Sequence, residues 1–481
     1  MQIRVVVRIL GLFLLAYSAT LLIPISVALW YHDGEAVHFA DALLATVSAG
    51  LLLRLAGAGT RVQLRAHEGF IVVAMFWLVL SALASLPLHL GPHLSFTDAV
   101  FEATSAFTTT GATVMSGLDR LPPSVLIYRQ QLQWFGGMGI IVLAVAVMPL
   151  LGVGGMQLYK AETPGPLKEE KITPRIARGA RSFWLLYAGL TAACALGYHA
   201  AGMPLFDAVA HSLSTVSTGG FSTHDASLGH FDSLAVEMVA VVFMLLGGIN
   251  FSLHYVALAG RSLRGYLDDP EARAYLGLIV AVAAAVSLGL VWSGFHGDWK
   301  ADLRAALFHA VSVVTSTGFV TEDFSHWPDF VPVLLLMASF VGGCAGSTAG
   351  GMKVIRVLVM GKQSGRDLLR LVHPAVVRPL RLGRRVLPER VVEAIWGYFA
   401  AYVALFVLFM LGLMALDLDQ VTAFSAVATC MNNLGPGLGR VATSFAGLPD
   451  AAKWILVAAM LAGRLEIFTL LVLFTPAFWR R

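Results

Sequence analysis

The chain has 481 residues, 57% of them hydrophobic and only 13% charged, with a mean hydropathy of +0.76. A soluble domain carries roughly 25% charged residues, so this composition excludes an ordinary soluble enzyme or nucleic-acid-binding module and fits a polytopic membrane protein. The net charge is a modest +4, and the three cysteines, Cys194, Cys344 and Cys430, lie in or beside apolar segments without paired spacing, which argues for small apolar packing groups rather than disulfides or a zinc site.

Apolar runs near the length that crosses a bilayer predict ten spans, at about 8–30, 38–57, 69–90, 130–150, 183–202, 234–259, 275–294, 330–352, 392–416 and 453–478. The first run is long, lacks a small-residue cleavage site and is followed by further spans, so it is expected to stay as a membrane helix. With the N-terminus in the cytoplasm, 26 of the 33 Lys and Arg fall on cytoplasmic segments, six of them in 160–181 and ten in 353–390. That asymmetry orients the chain with both termini cytoplasmic.

Beyond the first two spans the chain repeats a pattern four times: apolar span, short mixed segment, glycine tetrapeptide, apolar span. The mixed segments are 96–108, 205–217, 303–315 and 420–432. Each is too short to cross a membrane but suits a re-entrant pore helix. The tetrapeptides that follow are Thr108-Thr109-Thr110-Gly111, Ser217-Thr218-Gly219-Gly220, Thr315-Ser316-Thr317-Gly318 and Asn432-Asn433-Leu434-Gly435. Ala99, Ala208, Ala306 and Ala423 each precede the last glycine by twelve residues, which selects Gly220 over Gly219.

Irregular backbone at membrane depth is tolerable only where it is buried in protein or lines an aqueous cavity. Four such loops in one chain therefore imply a central pore whose backbone carbonyls replace the water around a potassium ion, with glycine permitting the required backbone conformations. A plainer reading is that the glycines merely terminate helices.

The eighth span contains Gly342-Gly343-Cys344-Ala345-Gly346-Ser347-Thr348-Ala349-Gly350-Gly351. Five glycines in ten residues cost a helix about 1 kcal/mol each relative to alanine, so the helix is expected to break here unless the small residues serve close helix packing. In the last span Arg464 sits where an unpaired arginine costs at least about 2.5 kcal/mol, so it must face protein or water. A pair with Glu466 or another carboxylate is one reading, although the two-residue spacing points Glu466 to a different side of the helix. Lys353 at the lower end of the glycine-rich stretch reads most simply as a topogenic charge.

The tetrapeptides, the stretch 134–159 with its sequel 160–176, the loop 342–353 and the segment 432–439 together resemble the Trk/Ktr/HKT superfamily of potassium transporters, specifically its TrkH-type subunits. The resemblance covers essentially the whole chain and implies an all-α polytopic fold of four pseudo-symmetric helix, pore-loop, helix units around a central pore, preceded by two extra helices. The expected division is 1–66 for the extra pair, 67–160, 161–260 and 261–361 for the first three pore repeats, 362–390 for a basic cytoplasmic loop and 391–481 for the fourth repeat.

The resemblance also implies K⁺ selection by the four glycines and a gate beneath them. The gate would be a plug including Gly346, Ser347, Thr348, Ala349 and Gly350, with Lys353 at its end and Arg464 as a positive charge in the path. A homodimer in the bacterial inner membrane is implied, with a cytoplasmic ring of nucleotide-binding, TrkA-like regulatory subunits docking on 353–390 and 160–181, a basic surface that also suits anionic lipid. The chain has no Walker loop or convincing dinucleotide fingerprint, so no cofactor beyond the transported ion is expected and any nucleotide would reside on the partner. No HExxH, Ser/Lys or paired-Asp constellation suggests an enzyme. Leu434 departs from the threonine-rich pattern of the other units. An Na⁺-permeable pore is the nearest rival, and a proton-coupled transporter would need Glu102, His211, Glu237 or His309 along the path.

Overall fold

The structure is a computed structural model that describes residues 3–59, 66–142, 172–383 and 385–480. The basic stretch 160–171, the end of the expected 130–150 span and Arg384 lie outside the described residues.

Two helix groups precede the repeats. Ile3–Thr20 continues after a turn into Leu22–Tyr31 and packs along Ala36–Ala56. Their contact is close because glycines face each other: a β-carbon on Gly11 would lie 2.7 Å from the carbonyl oxygen of Gly50, the small-residue packing that membrane helices favour. Hydrogen bonds, two of them buried, tie this pair to the rest. Tyr17 and Tyr128 share a hydroxyl contact of 2.6 Å, Tyr128 donates to the carbonyl of Ala84, and Gln131 donates to that of Thr20.

The order long helix, short helix, loop, helix then recurs four times. The long helices are Ala66–Ala84 with Leu86–Leu90, Ile172–Ala200, Pro270–Ser293 and Glu389–Met414. The short ones are Phe96–Phe107, Leu205–Val216, Trp299–Val314 and Gln420–Met431. Three of these start on a side-chain cap, where Ser95, Asp298 and Asp419 accept from the amides of Asp98, Lys300 and Thr422; Pro204 precedes the other. At 12 to 16 residues they reach about 18–24 Å, short of a bilayer core. The closing helices are Pro123–Val142, Leu234–Gly247, Phe330–Ser339 and Asp450–Arg464.

Five described helices are long and apolar enough to cross a membrane, and seven if each of two bent pairs counts as one span. The bends revise the sixth and tenth expected spans. Leu234–Gly247 meets Phe251–Gly260 at 98°, and Asp450–Arg464 meets Ile467–Phe474 at 112°. Hydropathy records that a run is apolar, not that it is straight. At the first bend Asn250 starts the new helix by accepting from the amide of Ser252; at the second Glu466 takes a positive φ of 55°. The eighth span stops at Ser339, and helix resumes only at Val354–Val372.

The basic segment is partly folded. Its helix runs to Val372, and beyond it a two-residue antiparallel hairpin pairs Arg381 with Val386 and Leu382 with Arg385, a small addition to the all-helical expectation. Leu380, Leu382 and Leu387 pack with Ile355, Val359, Val391, Val392 and Ile395 in a cluster of their own. Arg366 bridges both oxygens of Glu389 at 2.6 and 2.8 Å.

Candidate ion pathway

Each short helix ends the same way. The second residue of each tetrapeptide, Thr109, Thr218, Ser316 and Asn433, has φ between 51° and 53°. Its amide donates three residues back, to Ala106, Thr215, Val313 and Cys430. The third residue, Thr110, Gly219, Thr317 or Leu434, donates five residues back at 2.8 Å in all four loops, to Ser105, Ser214, Ser312 and Thr429. This is the Schellman termination of a helix, in which the left-handed position usually falls to glycine. Here it falls to residues bearing side chains, two of them β-branched threonines, for which such a φ is unfavourable. The glycine comes two residues later, so it is not what ends the helix.

What the glycines do is close a ring. Gly111, Gly220, Gly318 and Gly435 have φ of 80°, 79°, 82° and 97°, and Gly219 is not among the positive-φ residues. A β-carbon on Gly111 would strike the carbonyl oxygen of Gly219, one on Gly220 that of Thr317, and one on Gly318 that of Leu434. On Gly435 it would lie 2.9 Å from that of Thr110. Each glycine thus abuts the third residue of the next tetrapeptide, and the fourth abuts the first. Of the sixteen tetrapeptide residues only Gly111, Gly220 and Gly318 are partly exposed; the other thirteen, Gly435 included, are buried. The four glycines line a cavity of about 310 Å³ together with Arg129, His224, Asp225, Glu322 and Asp323.

Hydroxyl and amide side chains lock the loops to the scaffold. Thr108 shares a 2.7 Å contact with Thr110, and Thr315 does the same with Thr317. Asn433 donates to Thr110 and to the carbonyl of Met460, Asn432 donates to Ser339, and Tyr402 donates to Asn432. Leu434 is buried apolar surface in the same position as Thr110 and Thr317.

Two supporting residues are not evident from the sequence. Arg129 pairs with Glu102 at 2.7 Å with both side chains fully buried, and its guanidinium lies 4.1 Å over the Phe221 ring. Glu102 also accepts from Thr113 and from the amide of Val114, so this pair holds the chain just past Gly111 against that just past Gly220. Gln133 donates to the carbonyl of Gly219 at 2.6 Å while accepting from the amide of Phe221 and the hydroxyl of Ser214. A buried Gln or Arg in an apolar run is the only signal the sequence offers.

His211 lies 2.9 Å from Ser222 and His309 3.3 Å from the carbonyl of Glu322, each bracing a loop from its short helix, and Glu237 is bound by Arg304.

The glycine-rich segment 341–353 sits against the other side of the tetrapeptides. The Thr348 hydroxyl bonds to the carbonyls of Val216 and Gly247 and receives the hydroxyl of Thr218. The amide of Gly350 donates to Ser316, and a β-carbon on Gly350 would strike the carbonyl of Asn432. The segment therefore touches three of the four units. It is pinned elsewhere by Cys344 to Gly248, by Phe251 to Gly346, and by Glu271, which accepts from the amides of Ala345 and Ile355. Ser347 bonds within the loop to Cys344, and Lys353 donates to the carbonyl of Ala349.

Arg464, at the bend of the last unit, is buried and donates from Nη1 to the carbonyl of Thr348 at 2.8 Å; its Nε and Nη2 have no acceptor among the described residues. Glu466 does not pair with it, because the intervening break turns that carboxylate to Arg356, which also stacks 4.1 Å over Tyr398.

The family model described as the cation transport protein TrkH matches residues 36–481. The chain is 50% identical over 482 residues to the Trk system potassium uptake protein TrkH of Salmonella typhimurium and 52% identical over 483 residues to that of Halomonas elongata, each alignment covering all of both proteins. Among solved structures it matches the crystal structure of the potassium transporter TrkH from Vibrio parahaemolyticus with a TM-score of 0.93 and 49% identity, again over the whole of both chains. With half its residues shared from end to end and the same fold, the chain belongs to the TrkH family of cation transport proteins.

Proposed function

We propose that this chain takes up potassium across the bacterial inner membrane through the ring of four loops, with both termini in the cytoplasm. The observation that carries the reading is the closed cycle in which each of Gly111, Gly220, Gly318 and Gly435 abuts the next tetrapeptide. Such a ring can present oxygens of Thr108–Gly111, Ser217–Gly220, Thr315–Gly318 and Asn432–Gly435 in place of hydration water, and four helix C-termini beside it favour a cation. The unit boundaries we assign are 67–160, 161–260, 261–361 and 391–481, after the pair at 1–66.

The segment 341–353 is then the gate. Its contacts with Thr218, Ser316 and Asn432 support a plug seated directly against the ring. Arg464, with N–H groups unshared among the described residues and a bond to Thr348, would put positive charge in the path and hold the plug closed. Lys353 would fix the lower end. The pairing of Glu102 and Glu237 with arginines favours a bracing role for them over proton relay.

The chain acts as a transporter rather than an enzyme and works as a homodimer. A cytoplasmic nucleotide-binding ring docks on the folded basic segment, where Arg370, Arg378 and Arg381 are exposed. Anionic lipid would meet the same surface. The test is flux in proteoliposomes of purified protein under K⁺ or Na⁺ gradients, with and without the regulatory ring and nucleotide. Faster K⁺ than Na⁺ flux supports the filter; equal permeability sinks it, and a reversal potential that follows pH would favour proton coupling.

A further inference from the structure

Outside the ring, two loops bring together a donor set that the transport reading does not use. Asp119 lies on the turn Leu118–Arg120 after the first tetrapeptide; after the second, His224 precedes the turn Ser227–Phe231 and His230 lies within it. The two imidazoles stack face to face, with centroids 3.6 Å apart and planes within 2°, and Phe231 packs edge-on against both. Asp119 Oδ1 is 2.5 Å from Nδ1 of His224. One ligand atom from each of Asp119, His224 and His230 lies within 4.8 Å of the others.

Three nearby donors of this kind make a mixed nitrogen and oxygen set. Two imidazoles and a carboxylate suit a Zn²⁺-class ion, with water completing a tetrahedron, whereas Mg²⁺ and Ca²⁺ prefer all-oxygen shells. Zinc bonds of about 2.0–2.1 Å place ligands roughly 3.3 Å apart. The set must therefore close by up to about 1.5 Å. Because an imidazole binds a metal in the plane of its ring, one of the two stacked rings must also turn out of the stack. Both movements are open to side chains at the surface, where Asp119 and His230 are exposed and His224 is half-buried. The remaining nitrogen of His224 is 3.6 Å from Asp207, a second-sphere carboxylate that can orient the ring.

The location gives the site a consequence. His224 and its neighbour Asp225 line the cavity that the four glycines also line, together with Glu322 and Asp323. A divalent cation there would offset the negative potential of an acidic vestibule and tie the loops of two units to each other.

We propose that Asp119, His224 and His230 form a Zn²⁺-class site at the mouth of the four-loop cavity, and that the bound ion slows cation entry. The second half rests on the pore reading; the first does not.

The direct experiment is calorimetric titration of ZnCl₂ into the purified full-length chain. One site per chain is expected, weakened at least tenfold by His230→Ala and by Asp119→Asn, and unchanged by His326→Ala, which removes an exposed histidine elsewhere on the same face. No saturable zinc binding, or equal binding by wild type and His230→Ala, overturns the site. In proteoliposomes, external zinc should lower K⁺ flux through wild type several-fold and leave flux through His230→Ala unaltered. Zinc that binds as expected while K⁺ flux stays undiminished overturns the control of entry. Absence of K⁺ flux before any zinc is added, with binding intact, counts against the pore reading and leaves the metal site supported.

Discussion

Arg464 and Thr348 are joined by a single hydrogen bond of 2.8 Å between the guanidinium of the fourth unit and a carbonyl of the third unit's glycine-rich loop. They are 116 residues apart in sequence, and both are buried. Among the described residues one backbone oxygen is the only acceptor for that buried charge, which is costly unless the site offers more. That imbalance suits the gate proposed above: a contact strong enough to hold the loop and weak enough to lose.

Arg464→Ala should therefore raise K⁺ flux several-fold while leaving the order of K⁺ and Na⁺ unchanged, because the filter oxygens are untouched. Proteoliposome flux under each gradient measures both quantities. Unaltered K⁺ flux in a correctly folded variant would remove Arg464 from the gate.

Gly318→Ser tests the ring itself. Serine there must adopt a φ of 82° and place its β-carbon on the carbonyl of Leu434, with Pro436 next in the way. Left-handed backbone alone costs about 1–2 kcal/mol, and if that cost falls on the ion site the K⁺ preference drops roughly tenfold. Gly117→Ser, also at positive φ but with open space around it, is the control. Equal selectivity in the two variants would contradict the packing argument.

How much of this was legible in sequence differs by element. The four tetrapeptides and their alanine register were, because an irregular backbone buried among helices demands glycine, and glycine is visible. The break after Ser339 was legible for the same reason. The separation of Arg464 from Glu466 followed from their two-residue spacing, although the partner Arg356, 110 residues away from Glu466, did not. Neither did the Glu102–Arg129 pair nor the Gln133 clamp on Gly219, since which buried polar groups meet is decided by how units pack. The bends at 248–250 and 465–466 were also hidden: neither carries a proline, and hydropathy is blind to direction.

Glu102→Gln removes the negative half of a fully buried ion pair and leaves Arg129 facing Phe221 and Ser222. Breaking such a pair from one side costs about 3–5 kcal/mol. Thermal unfolding in detergent should show a large loss for Glu102→Gln, and the double change Glu102→Gln with Arg129→Gln should restore part of it. Should the double variant be less stable than Glu102→Gln alone, the two residues are not acting as a pair.

The outer loop of the third unit supplies a pH dependence. His296 lies 2.7 Å from Asp302 at the start of the short helix and 3.0 Å from Glu322 beyond the tetrapeptide; Trp327 also donates to Glu322. Partial burial works against the charged imidazole, but the two carboxylates outweigh it and hold its pKa above the ordinary 6.5. A pKa raised by folding adds stability that is fully present below about pH 6.5 and fades as pH rises through the folded value. The difference in melting temperature between wild type and His296→Gln should accordingly be larger near about pH 6 than near about pH 9. A difference that stays constant across that range would mean that His296 contributes through packing and hydrogen bonds alone, with no charge on the ring.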